Sequence, residues 1–159
     1  MTTSTGTPAS APTTTAAVNG RVVALAHNAA RALLEGVLER HGITFRQSVT
    51  LRAVAVAGGS IATDALVDDV TGSLKVDESV VRDVVEELTA ARLLAADPAE
   101  GAGLRLTDAG RELYERTTAE SAEITARLYG GIPAEDLAVA GRVLALVTER
   151  ANAELAADG

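Results

Sequence analysis

Across residues 61–107 the apolar side chains fall into two short helical stripes followed by two short strand-like runs, and no other stretch of the chain leaves so few ways to fold. Leu66, Val67, Val70 and Leu74 recur at the spacing of one buried helix face, and Thr63 stands where it can cap that helix. Lys75 and Val76 leave room only for a tight joint. Asp77 can cap the next helix, over 78–91, with Val81, Val84, Val85 and Leu88 inward and Ser79, Arg82, Asp83, Glu86, Glu87 and Ala90 outward. Residues 93–96 and 104–106 read as strands around a loop containing Pro98, Gly101 and Gly103, which is hairpin chemistry. Ile61 can contribute a strand of one or two residues.

The order of helix, joint, helix, strand, loop and strand predicts a winged helix-turn-helix, whose second helix is the one placed to enter a DNA major groove. Its flanks are helical. Val22, Ala26, Ala29, Leu33 and Val37 mark a helix over 19–41 that Gly42 stops. Thr44 and Gln47 form a capping-box pair at the start of a second, with Leu51, Val54 and Ala55 inward, and Gly58-Gly59 ends it. Thr107 caps a long helix through Tyr129, Gly130-Gly131 breaks it, and Pro133 opens a last helix with Leu137, Ala140, Leu144, Val147 and Ala151 along one seam.

The expected fold class is therefore mainly α with a small β-hairpin wing: a winged helix-turn-helix with long N- and C-terminal dimerisation helices. Residues 1–18, made of Thr, Ala, Ser, Pro and Gly without periodicity, read as a disordered tail. Residues 19–159 read as one unit, with 61–107 as the reading module and 19–57 and 108–155 as dimerisation and scaffold helices. A helix with an apolar face must bury it, so a twofold homodimer is expected, the alternative being that the end helices complete a monomer core.

Several functions are excluded or weakened by what the chain lacks. It has no cysteine, hence no disulfide or thiol chemistry. The two histidines, His27 and His41, lie about 21 Å apart along a helix, so a shared metal is not expected. No catalytic constellation or phosphate-cradling loop can be identified, so the chain reads as a non-enzyme without cofactor. It has neither a signal peptide nor about 18 consecutive apolar residues, which predicts a soluble cytoplasmic protein away from the membrane. Net charge is −8, which opposes general attraction to phosphate. Within 61–107, Lys75, Arg82, Arg92 and Arg105 face ten carboxylates, leaving −6.

Two segments carry a resemblance. Leu106-Thr107-Asp108-Ala109-Gly110-Arg111 is similar to the LTxxGR segment that closes the wing in the MarR family of bacterial regulators, and residues 79–94 resemble that family's recognition helix and following strand. The resemblance spans about 22–155. It implies a dimer on inverted-repeat double-stranded DNA, one recognition helix per half-site, and often relief by a small-molecule effector.

Residue by residue, it implies DNA contact by Ser79 and Arg82, support from Arg105 in the wing, and phosphate contacts by Lys75, Arg46 and Arg52. Two departures stand out. Asp83 and Glu87 occupy positions that are more often basic, and Ala99 replaces the arginine of the wing tip. Arg92 stands where relatives carry the glycine that ends the recognition helix. His27 with Arg31 can line a ligand pocket, or His27 can be an ordinary solvent or interface residue. The alternative function is a winged-helix dimer that has lost DNA binding and serves as a protein-interaction module.

Overall fold

The computed structural model describes residues 17–157, so nearly all of the expected 1–18 tail lies outside the described residues. In chain order the elements are α1 (Gly20–Arg40), α2 (Phe45–Val56), β1 (Ser60–Ala62), α3 (Thr63–Leu74), α4 (Glu78–Ala90), β2 (Leu94–Asp97), β3 (Gly103–Leu106), α5 (Asp108–Tyr129) and α6 (Ala134–Ala157). One 3-10 turn, Pro98–Glu100, sits in the loop between β2 and β3. The three strands form an antiparallel sheet in the order β1-β3-β2.

The core lies where the apolar stripes predict. Leu51 and Val54 of α2, Leu66, Val67 and Val70 of α3, and Val81, Val84 and Leu88 of α4 pack with Leu94, Leu104 and Leu106 of the sheet. Burying a leucine or valine fully in this way contributes roughly 1.5–3 kcal/mol each before ordering costs. The end of α1 joins through Leu38, and the start of α5 through Leu113. These contacts turn helix-turn-helix, sheet and the adjoining helix ends into one packed body, with α4 on its outside.

Capping follows the sequence in part. Thr44 Oγ1 accepts from the Gln47 amide at 3.2 Å while the Gln47 side chain accepts from the Thr44 amide at 2.9 Å, the reciprocal box that the spacing predicts. Two expected caps are not made. Asp77 occupies the N-cap of α4 without a side-chain hydrogen bond to it. Thr63 is the first residue of α3 rather than its cap, because its hydroxyl donates instead to the Ala102 carbonyl across the wing.

Three helices end in the same paired turn. In α1 the Ile43 amide donates to Leu38 and Gly42 to Glu39; in α2, Gly59 to Val54 and Gly58 to Ala55; in α4, Leu93 to Leu88 and Arg92 to Thr89. The first two put glycine in the left-handed position, and α4 puts Arg92 there at φ 59°. This turn also consumes Leu93, so β2 begins one residue later than the apolar run suggests.

The wing closes onto α5 at a single crowded point. Thr107 Oγ1 accepts from the Gly110 amide at 3.0 Å and donates to the Arg92 carbonyl at 2.7 Å, while the Thr107 amide donates to Leu93 at 3.1 Å. A Cβ on Gly110 would lie 2.1 Å from the Leu93 carbonyl oxygen. The threonine and glycine of the LTxxG segment thus have separate duties, one capping and one permitting contact.

Gly110→Ala should therefore destabilise the fold by about 1–3 kcal/mol or more through overpacking, although alanine is the better helix former. Arg92→Gly should stabilise it by roughly 0.5–1 kcal/mol, since glycine bears no left-handed penalty. Urea unfolding of the two variants against the parent checks both signs.

Candidate functional site

The outward face of α4 is framed by the Lys75 joint on one side and the wing on the other. Ser79, in its first turn, and Arg82, one turn on, are both exposed. Lys75 is exposed and holds the left-handed C-cap of α3 at φ 54°, so its backbone shapes the joint whatever its side chain does. Arg46 is exposed at the start of α2, next to Gln47, whose amide nitrogen donates to Glu87 of α4 at 2.9 Å. Lys75, Ser79 and Arg82 lie towards the start of α4, whereas the Gln47–Glu87 bond sets the start of α2, and Arg46 with it, beside the C-terminal half of that helix.

Arg105 and Arg52 stand elsewhere. Arg105 lies on the central strand, opposite Ser60 and Ala95, and is exposed on the sheet rather than at the wing tip. Arg52 is five residues beyond Gln47, which turns it about 140° round α2. It lines a cleft between α1, α2 and α5.

The only basic residue on the outward face of α4 is already engaged. Arg82 Nη2 lies 3.4 Å from Glu78 Oε2 and 3.6 Å from Asp64 Oδ1 in the first turn of α3. The Glu78 partner is legible as an i, i+4 pair. Asp64 is not, because only the packing of α3 on α4 brings it within reach of a residue 18 positions on.

At the wing base the Ser60 hydroxyl donates to Asp97 Oδ2, and Asp97 Oδ1 accepts from the Ala99 amide at 3.0 Å. The serine bond, then the backbone bond, and the nearby Arg105 charge together hold the Asp97 carboxyl below its ordinary range against a smaller opposing effect of burial. This contact spans from β1 to β2 across β3.

Behind the helix-turn-helix a cleft of about 700 Å³ runs along α5, lined by Phe45, Arg52, Tyr114, Thr118, Ser121 and Thr125 among others. An adjoining cavity of about 270 Å³ shares Leu34, Phe45, Ser121 and Thr125 and adds His27, Arg31 and Tyr129. Arg31 stacks over the Phe45 ring, 4.4 Å from its centre, and pairs with Glu35 at 2.8 Å. Ser121 and Thr125 donate to carbonyls of their own helix. The cleft is thus an apolar slot with guanidinium groups at two places. Among the described residues no group of His, Asp and Glu could hold a metal ion, and no helix is long and apolar enough to cross a membrane.

Between the cleft-lining Thr118 and Ser121, Glu120 of α5 ties down the end of α1, accepting from Arg40 at 2.8 Å and meeting His41 Nε2 at 2.7 Å. Sequence spacing gives no sign of this bridge, since its partners are some 80 residues apart.

This arrangement is a winged helix-turn-helix with an adjoining ligand-sized cleft. Solved structures place it more narrowly. BpsR from Bordetella bronchiseptica, described for regulation of its DNA binding by 6-hydroxynicotinic acid, is 25% identical, with a TM-score of 0.64 over 80% of this chain and 92% of BpsR. CouR from Rhodococcus jostii RHA1, bound to p-coumaroyl-CoA, is 18% identical at a TM-score of 0.69, over 81% and 90% of the two chains. A mutant MarR from E. coli complexed with operator DNA is 19% identical at 0.66, over 80% and 91%. The chain has the MarR-type winged-helix fold. No family model matches the sequence, and no curated protein matches it.

The Arg40 and then the His41 hydrogen bond lower the Glu120 pKa from its ordinary 4.5, burial opposing them weakly. A depressed carboxylate stabilises the fold above its unfolded value and loses that contribution as pH falls through the folded one. The melting temperature of Glu120→Gln should therefore lie below the parent's at neutral pH and converge on it as pH drops below 4.5. A thermal-melt series from neutral to acid pH checks this.

Proposed function

We propose that the chain is a homodimeric transcriptional regulator that reads an inverted-repeat duplex and responds to a small organic ligand. The observation that carries this reading is the exposure of the whole outward face of α4 between joint and wing. Ser79 and Arg82 would enter the major groove, Lys75 and Arg46 would meet phosphates, and Arg105 would assist from the sheet. Arg52 is assigned to the cleft. The solved MarR complex with operator DNA supports this use of the fold.

Dimerisation is supported by α6, in which no described side chain is buried. Val139, Val143, Leu144, Leu146, Val147 and Leu155 are 38–60% exposed, and Leu25 and Leu33 of α1 are exposed too. A second copy covering these faces would supply the burial that an amphipathic helix requires. The ligand reading rests on the cleft: its apolar walls, aromatic rings and two arginines suit an aromatic or otherwise apolar acid, and the DNA binding of BpsR is regulated by one, 6-hydroxynicotinic acid. The regulator acts in the cytoplasm, away from the membrane, without catalysing a reaction or using a cofactor.

A second reading is favoured by the carboxylates. Asp83, Glu86 and Glu87 share the outward face with an arginine already paired to acids. On that reading the dimer has given up DNA and binds a protein through this face.

Light scattering should return twice the mass of one chain. Selection from a random duplex pool at low salt should enrich an inverted repeat, and Arg82→Ala should weaken binding to it by about 1–3 kcal/mol. A dimer that enriches no duplex at any salt would leave only the second reading.

A further inference from the structure

Arg82 is the one cation on the outward face of α4, and two carboxylates hold it from different helices. Glu78 precedes it by one turn, the favourable order for an acid and base on a helix, and also sits in the first turn where the helix dipole favours negative charge. Asp64 approaches from the first turn of α3. A guanidinium in this position has its charge answered within the protein before any duplex arrives. Resting on the proposed DNA-reading function, we propose that Asp64 and Glu78 form an autoinhibitory clasp that competes with DNA for Arg82.

The competition follows from what Arg82 must exchange. Both contacts are made by Nη2, and to turn that nitrogen to a phosphate or a base edge Arg82 has to leave both carboxylates, which then stand unpaired beside a polyanion. The energies are modest, because Arg82 and Glu78 are half or more exposed and Asp64 is almost fully so, and such contacts are screened by water and salt. Modest is sufficient here. With only four basic residues in the whole 61–107 module, each phosphate contact is a large share of the available attraction. The clasp also predicts a salt signature. An arginine neutralised internally contributes little counterion release, whereas a freed Arg82 adds nearly one unit to the salt slope when it meets a phosphate.

The test is a cycle on the full chain, using duplex enriched from a random pool by the parent or by the clasp-free variant. Asp64→Asn with Glu78→Gln should tighten binding by roughly two- to fivefold and steepen the salt dependence by about one unit. Adding Arg82→Ala should abolish both gains. Glu86→Gln, which removes a charge from the same face without touching Arg82, sets the effect of net charge alone. A gain that survives Arg82→Ala, or that Glu86→Gln matches with the same salt slope, overturns the clasp and leaves the DNA-binding reading standing. Failure of both the parent and the clasp-free protein to enrich any duplex removes that reading, and the clasp with it.

Discussion

The carbonyl of Leu93 is the point on which this fold turns. The amide of the same residue ends the capping turn of α4 by donating to Leu88, while the carbonyl receives the Thr107 amide and lies so close to Gly110 that no side chain fits between them. The end of α4, the wing and α5 therefore meet at one residue. Because that contact is made by main chain on both sides, it does not depend on rotamers and fixes the helix-turn-helix relative to α5 more tightly than apolar packing alone. The aliphatic core then needs only to fill the space this closure defines, which suits a chain with a single phenylalanine and no tryptophan.

Electrostatics impose the second constraint. Duplex binding draws most of its strength from neutralised phosphates, and a protein of net charge −8 has little to offer away from a local patch. Lys75 stands at the start of α4, Arg46 lies beside its C-terminal half through the neighbouring Gln47, and Arg52 lines the cleft. A surface that met duplex here would be small, and its response to a single added or lost charge would be correspondingly large.

Helix faces were legible in the sequence because a stripe of valine and leucine at helical spacing has one way to be buried; Val81, Val84 and Leu88 lie inward as their spacing requires. The Thr44 and Thr107 caps were legible for the same local reason. What spacing could not reveal was where polar groups go once tertiary packing offers alternatives. Thr63 turns to the Ala102 carbonyl, Asp64 reaches Arg82, and Glu120 reaches Arg40 and His41. A cavity lined by His27 and Arg31 was one of two readings their spacing allowed, and Phe45, Tyr129 and the α5 hydroxyl residues that complete it arrive from elsewhere in the chain. Arg52 has the residue type of a phosphate contact, and only the packing of α2 reveals that it also lines the cleft.

The α5 helix is unbroken from the crowded Gly110 joint past the cleft. It is a rod clamped by backbone at one end and tied part-way along, through Glu120, to the end of α1. Ser121 stands about 16 Å from Gly110 at the ordinary helical rise, so a sideways push of about 1 Å there amounts to a rotation of roughly 3–4°. A clamp made of backbone has little give. The rotation is handed to whatever shares the joint, and what shares it is the C-terminal end of α4.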